Sequence, residues 1–256
     1  MNSLVRFWNE CDLRKPPFIH PADLSIAKAY PKLFDTQVRN LRGFIHGKRF
    51  GDFRDNRFHL SLIPSPYGGR LDTADIFILL LNPGFGISDY HVDPVSRRWK
   101  KRVIRQKLAR AKFPFTSLNP NLCWRPGFMW WEKKLRSVIR RIAAEKFDGS
   151  YLDAMRNLSQ RLACIELVPY HSASFNANKL VKVVLPSARA ARDFVYKTLL
   201  PKARRGKVTL IVTRKVKEWG LPKAHVVTYT GGHTRGAHMS VGSMGGKAIL
   251  KRYGIK

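Results

Sequence analysis

The stretch Ile76-Phe-Ile-Leu-Leu-Leu81, followed at once by Asn82-Pro83-Gly84-Phe85, decides the fold class. A short, continuous apolar run indicates a strand that is buried on both faces, as in parallel sheets. The dipeptide Asn-Pro followed by Gly is typical of a loop. The sequence therefore predicts a core strand over 75–81, with a loop at its carboxyl end.

Three further apolar runs, over 163–168, 208–213 and 225–229, predict three more strands. Helical periodicity predicts helices over 132–147, 151–162 and 187–199, a short helix over 214–219, and a strongly cationic helix within 96–112. Strands that alternate with helices favour an α/β fold, a three-layer sandwich with a central four-stranded parallel sheet. We expect this domain over 61–256, with 1–60 as an N-terminal extension packed on it.

The charge is strongly one-sided. The chain of 256 residues carries 48 Lys+Arg against 17 Asp+Glu, a formal net charge of +31. This excess disfavours an enzyme of small neutral metabolites and favours a nucleic-acid partner. The cationic segment supplies the predicted DNA contacts Arg97, Arg98, Lys100, Lys101 and Arg102.

Several classes lack support. The longest apolar run is too short for a membrane span, and the N-terminus has no secretory h-region. The three cysteines are scattered, which predicts reduced thiols and a cytoplasmic location near the nucleoid. No carboxylate cluster suggests a metal site, and the Gly84-Phe-Gly86 turn lacks the third glycine of a dinucleotide loop. We expect no metal and no cofactor.

Unusual loops follow three of the predicted strands: Asn82-Pro-Gly-Phe85, Pro169-Tyr-His-Ser172 and, after the fourth strand, His238-Met-Ser-Val-Gly-Ser243. In open α/β sheets, ligands bind at the carboxyl ends of the strands. The sequence therefore predicts a site formed by these loops.

The same three segments carry a family resemblance over roughly residues 62–250. In their order along the chain, they resemble the motifs of the uracil-DNA glycosylase superfamily, most closely its mismatch-specific branch. The segments are the strand that ends in N-P-G, the run Glu166-Leu-Val-Pro-Tyr170 and the His238–Ser243 loop. The resemblance implies a monofunctional DNA glycosylase, a monomer without cofactor. Such an enzyme flips a base out of duplex or single-stranded DNA, hydrolyses its N-glycosidic bond and leaves an abasic site.

The resemblance also implies residue roles. Asn82 would hold the attacking water, and His238, or His233 in its place, would stabilise the departing base. Phe85 and Tyr170 would stack on the base, while Tyr67 and Ser240 would line its pocket. The position of the family's wedge residue is Gly242 here, so Val241 or Met244 would take that role, with Arg235 on the DNA. Simpler roles stay open: a strand stop for Asn82, core packing for Phe85 and Tyr170, and a solvent-facing loop for His238.

Glu166 stands where the family commonly has Asn. A carboxylate only accepts hydrogen bonds, and the exocyclic amine of cytosine donates them, whereas uracil O4 does not. We therefore expect a modified, cytosine-like base, in DNA repair or in defence against phage with modified DNA. A salt bridge between Glu166 and an arginine is the structural alternative. The alternative function is a non-catalytic nucleic-acid-binding protein or a nuclease.

Overall fold

A computed structural model describes residues 2–52, 54–175, 185–214, 216–229 and 238–256, except for the side chains of 92–96. The chain forms two compact units, each assembled from separate stretches. Unit 1 comprises 1–67, 82–107 and 166–192, and unit 2 comprises 68–81, 108–165 and 193–256. The described α-helices are α1 (Ser3–Asn9), α2 (Leu24–Ala29), α3 (Leu41–Ile45), α4 (Ile87–Ile104), α5 (Pro126–Lys146), α6 (Tyr151–Arg161), α7 (Pro186–Phe194), α8 (Leu200–Arg204), α9 (Val216–Trp219) and α10 (Met244–Arg252), and a π-helical segment, Val195–Leu199, continues α7.

Two sheets accompany these helices. Strands β1 (Phe34–Asp35) and β2 (Phe58–His59) form a small parallel pair in unit 1. The main sheet has the strand order β3-β5-β4-β6-β7. Its strands are β3 (Tyr67–Gly68), β4 (Ile76–Leu80), β5 (Leu162–Glu166), β6 (Thr209–Val212) and β7 (Val226–Thr228).

The main sheet is mixed and has five strands, which corrects the expected count of four. Pairing is parallel between β4 and β6 and between β6 and β7. The added strand β3 is two residues long and runs along β5 in the opposite direction: the Glu166 amide donates to the Pro66 carbonyl, while Gly69 lies against the Leu162 carbonyl. So short a segment, among prolines and glycines, has no periodicity that predicts a strand.

Unit 2 is held by an apolar core in which helices cover one face of β4. Ile76, Ile78 and Leu80 share that core with residues of α5, α6 and α10. The inward residues expected on α5 are confirmed, since Leu135, Val138, Ile139, Ile142 and Ala143 are all buried. Phe77 and Leu79 on the other face of β4 are also fully buried, which explains the continuous apolar run.

In unit 1, residues 1–60 share one packed body with 82–107 and 166–192. The buried Asp23 carboxylate accepts hydrogen bonds from the Tyr170 hydroxyl at 2.6 Å and from the Ser187 amide at 3.0 Å. The Arg105 guanidinium donates to the Trp8 carbonyl at 2.7 Å. These polar contacts tie the N-terminal stretch into the unit.

The helices differ from expectation in three places: α5 begins at residue 126 rather than 132, the cationic helix is shifted, and one helix was not expected. The cationic helix, expected within 96–112, is α4 and spans 87–104; past it Gln106 has a φ of 51°, which does not continue a helix. The glycine-rich end of the chain forms α10, which the sequence did not predict. None of the described helices combines the length and apolar character needed to cross a membrane.

Candidate active site

The strand order places the loop after β4 at a reversal point of the sheet. From β4 the chain passes to β5 on one side, and then to β6 and β7 on the other. In open α/β sheets, ligands bind beyond the carboxyl ends of the strands at such a reversal. The residues that follow β4 there are Leu81, Asn82 and Pro83.

The side-chain amide of Asn82 is held in one orientation. Its Nδ2 donates to the Pro83 carbonyl at 3.1 Å and to the Ser172 hydroxyl at 2.9 Å. A carbonyl oxygen can only accept, so the nitrogen rather than the oxygen of the amide must face Pro83. Both amide hydrogens are thereby used, and among the described residues no donor binds Oδ1, which is available as an acceptor on a partly exposed side chain.

His171 fixes the next turn of the same loop. Its Nδ1 lies 2.8 Å from the Gly84 carbonyl, and its Nε2 lies 3.1 Å from the Ser65 hydroxyl. Because the carbonyl accepts, Nδ1 carries the hydrogen and Nε2 accepts from Ser65. Burial, with a smaller contribution from the positive charge of Lys100, lowers the pKa of His171 from 6.5 to about 4. The ring is therefore neutral at physiological pH and acts as a clamp on the loop.

Ser172 completes this clamp. Its backbone amide donates to the Pro83 carbonyl at 3.3 Å, in a parallel bridge between Gly84 and Ser172. The segment Pro169–Ser172 thus holds three consecutive residues: the Ser172 side chain binds Asn82, the Ser172 amide binds Pro83, and the His171 ring binds Gly84. The arrangement pre-orients the amide before any ligand binds.

Phe85, the next residue, belongs to an aromatic group in unit 1. Its ring stacks on His59 with 4.2 Å between ring centroids, and it makes edge contacts with Phe44 and Tyr90. A cavity of about 50 Å³ lies here, lined by Phe44, Arg49, Gly51, Asp52, Asp55, His59, Phe85, Gly86, Ile87 and Ala173. This volume admits roughly three to five water molecules. Phe85 is partly exposed, so one part of its surface remains open to a ligand.

His59 is the polar member of that aromatic group. Its Nδ1 lies 3.1 Å from the Tyr90 hydroxyl, and its side chain is only 1% exposed. Within the described part of the chain, its Nε2 has no hydrogen-bond partner. Burial lowers the pKa of His59, which favours the neutral ring.

Four other expected site residues of unit 1 are buried. Tyr170 is 1% exposed and its hydroxyl is bound to Asp23, while the Tyr67 hydroxyl donates to the Ile104 carbonyl at 2.6 Å. Glu166 ends β5 and is buried, and Lys100 is buried on α4. Tyr170 and Tyr67 therefore pack within unit 1, and Lys100 does not lie on the surface that was expected to contact DNA.

The remaining cations expected on α4 are accessible to different degrees. Arg98 is exposed, whereas Arg97, Lys101 and Arg102 are partly exposed. The Arg97 guanidinium lies over Phe18 at 5.7 Å and that of Arg102 over Trp99 at 4.9 Å. The aromatic contacts hold these two guanidinium groups in place while leaving their charge on the surface.

The third predicted loop lies in unit 2. His238, Ser240, Val241 and Met244 are all exposed, and the buried Met239 anchors the loop between them. Gly246 is required there, because a Cβ on it would lie 1.8 Å from the Ser240 carbonyl oxygen. His233 and Arg235 lie outside the described residues. The loop therefore presents the expected wedge candidates to solvent.

Sequence reasoning missed three residues that organise the candidate site, His171, Ser172 and His59. The first two lie in the Pro169–Ser172 loop, which the sequence predicted to form part of the site. Nothing in the sequence indicated what their side chains do there. His59 carries no local signal, because its neighbours in the aromatic group come from distant parts of the chain.

No group of three or more His, Cys, Asp or Glu side chains in the described ranges could hold a metal ion. The chain matches no protein-family model, no curated protein and no solved structure.

Proposed function

We propose that the protein is a monofunctional DNA glycosylase of the uracil-DNA glycosylase type, which flips a modified pyrimidine and hydrolyses its N-glycosidic bond. The observation that carries the proposal is the orientation of Asn82. With both amide hydrogens bound to Pro83 and Ser172, Oδ1 can accept a hydrogen bond from a water molecule. The proposal includes the fold of that superfamily, with β4, β5, β6 and β7 as its parallel core and β3 added at the edge.

In the proposed reaction the bond between C1′ and the base nitrogen breaks, and the base leaves with the electron pair. Asn82 Oδ1 orients a water molecule whose oxygen then bonds to C1′, and a proton from this water is released. His238 donates a hydrogen bond to the departing base as negative charge develops on it. An amide is no general base, so catalysis relies on orientation and on stabilising the leaving group.

The substrate base is proposed to be cytosine-like. Glu166 at the end of β5 offers acceptors to an exocyclic amine, and Phe85 offers a partly exposed ring for stacking. Replacement Glu166→Gln should then shift preference towards bases that carry a carbonyl at this position. Uracil release by the wild-type protein, with every cytosine derivative left untouched, would refute the assignment.

The test of the proposal compares wild type with Asn82→Ala on a panel of modified DNAs. Free base is detected by mass spectrometry, and abasic sites by alkaline cleavage. Loss of the water-orienting group should lower base release by about 10²-fold or more, while DNA affinity stays within a factor of two or three. A wild-type protein that binds DNA but releases no base from any member would be a binding module instead.

A further inference from the structure

Two adjacent tryptophans at the start of α5 have opposite environments. Trp131 is 6% exposed and packs edge-on against Phe115 in the core. Trp130 is 40% exposed and its neighbour Met129 is 62% exposed. Large apolar side chains grouped on a surface mark a contact site, and Trp presents a flat ring suited to stacking.

Positive charge surrounds this exposed ring. The Lys134 ammonium lies over the Trp130 ring at 5.6 Å from its centroid, and Lys133 beside it is exposed. Partial burial, together with the charges of Arg214 and Lys133, lowers the pKa of Lys134. Cations that crowd one another in this way favour an anionic partner, whose binding relieves their repulsion.

The Trp130 ring lies on the same face of α5 as a residue that contacts the His238–Ser243 loop. Trp130, Lys134 and Ser137 follow one stripe of α5, and the Ser137 hydroxyl accepts a hydrogen bond of 3.2 Å from the Val241 amide. Trp130 and Ser137 are seven residues apart, or about 10 Å along the helix axis. That distance equals about three nucleotide steps of a stacked strand.

We propose that the Trp130 face, made of Met129, Trp130, Lys133 and Lys134, binds an unpaired stretch of nucleic acid. One base stacks on Trp130, and the adjoining phosphates lie against the two lysines. Within a duplex both faces of each base are covered by neighbours, so an exposed tryptophan gains little from paired DNA. The inference deepens the proposed function, on which it rests, by naming single-stranded or locally opened DNA as the preferred partner.

The test measures fluorescence anisotropy of a labelled oligothymidylate and of a blunt duplex with wild type, Trp130→Ala and Trp130→Phe. Loss of one stacked base should weaken oligothymidylate binding by about tenfold, and Phe should restore most of it. Duplex binding should change by less than a factor of about two. Tyr196→Ala, which removes a 54% exposed aromatic of the same unit, is the matched control and should bind as wild type does.

Salt titration separates stacking from charge. The Trp130→Ala variant should keep the dependence of affinity on salt, whereas Lys133→Ala should reduce the slope by about one. Unchanged oligothymidylate binding by Trp130→Ala would overturn the inference. So would sedimentation showing that this replacement dissociates a dimer, because the face would then be covered by a second copy.

The oligothymidylate contains no modified cytosine, so this test does not depend on catalysis. Intact base release combined with unaffected binding by Trp130→Ala would refute this inference alone. Stacking on Trp130 without base release from any DNA would refute the proposed function alone.

Discussion

At the scale of single residues, the candidate site depends on side chains that hold one another in place. Asn82 supplies the side-chain amide of the candidate site, and the contacts of Ser172 and His171 hold this amide and its loop in place. Positioning of this kind affects turnover more than substrate affinity, because it keeps the reacting groups aligned.

Replacing Ser172 with Ala should remove one of the two hydrogen bonds that orient Asn82. We expect kcat for base release to fall by about tenfold, with KM nearly unchanged and stability lowered by about 1 kcal/mol. Ser61→Ala is the matched control, since this buried hydroxyl lies 2.5 Å from the Tyr90 hydroxyl, whereas the Asn82 amide is bound by Pro83 and Ser172. Equal loss of kcat in both variants would show a general loss of folding instead.

His171 makes the stability of the protein sensitive to acid. Its pKa is about 4 when folded, against an ordinary value of 6.5, so the unfolded chain binds the proton more readily between these two pH values. Stability should therefore fall as pH drops from about 6.5 to 4, by up to about 3 kcal/mol from this residue. Denaturant unfolding of wild type and His171→Gln at several pH values measures this. Parallel pH profiles for the two proteins would contradict the assignment.

At the scale of elements, the edge strand β3 depends on one glycine. Gly69 has a φ of +76°, and a Cβ there would lie 2.2 Å from the Leu162 carbonyl oxygen. The close approach lets the chain run against β5 and adds the fifth strand. A glycine is needed for both reasons, since other residues resist positive φ and carry a Cβ.

Gly69→Ala should therefore destabilise the protein by more than about 2 kcal/mol, because a steric clash adds to the cost of positive φ. Gly206→Ala is the matched control: its φ is +68°, but nothing lies within 4 Å of its Cβ position. It should cost only about 1 kcal/mol. Thermal or urea unfolding compares the stability of the two variants. Equal losses of stability would show that the close approach to Leu162 does not contribute to the effect.

At the scale of the whole molecule, the net charge of +31 predicts that the protein binds a polyanion. With ~6–10 phosphate contacts, DNA affinity should fall by about 10³–10⁵-fold between roughly 50 and 200 mM salt. Arg98→Ala should lower the slope of log K against log salt by about one, since this side chain is exposed. Lys100→Ala should leave the slope unchanged, because Lys100 is buried. A DNA affinity that does not change with salt concentration would contradict the prediction that nucleic acid is the partner.

The division into two units shows where sequence reasoning reached its limit. Unit 1 joins residues 1–67 to two stretches far along the chain, and its polar contacts connect Asp23 with Tyr170 and Ser187. Such contacts have no local period or motif. For this reason the sequence alone does not show that residues 1–60 belong to the same compact unit as Asn82.

By itself, the sequence determined the α/β class, the positions of four strands, the inward face of α5 and the loop that carries Asn82. These features follow from short-range periodicity and from turn-forming residues, and both depend only on residues close together in sequence. Only the tertiary structure decided the fifth strand, the burial of Tyr170, Tyr67 and Lys100, and the clamp of His171 and Ser172 on the Asn82 loop. These features depend on contacts between residues that are distant in sequence. Packing and hydrogen-bond geometry in the folded chain decide which side chains are buried and which are exposed.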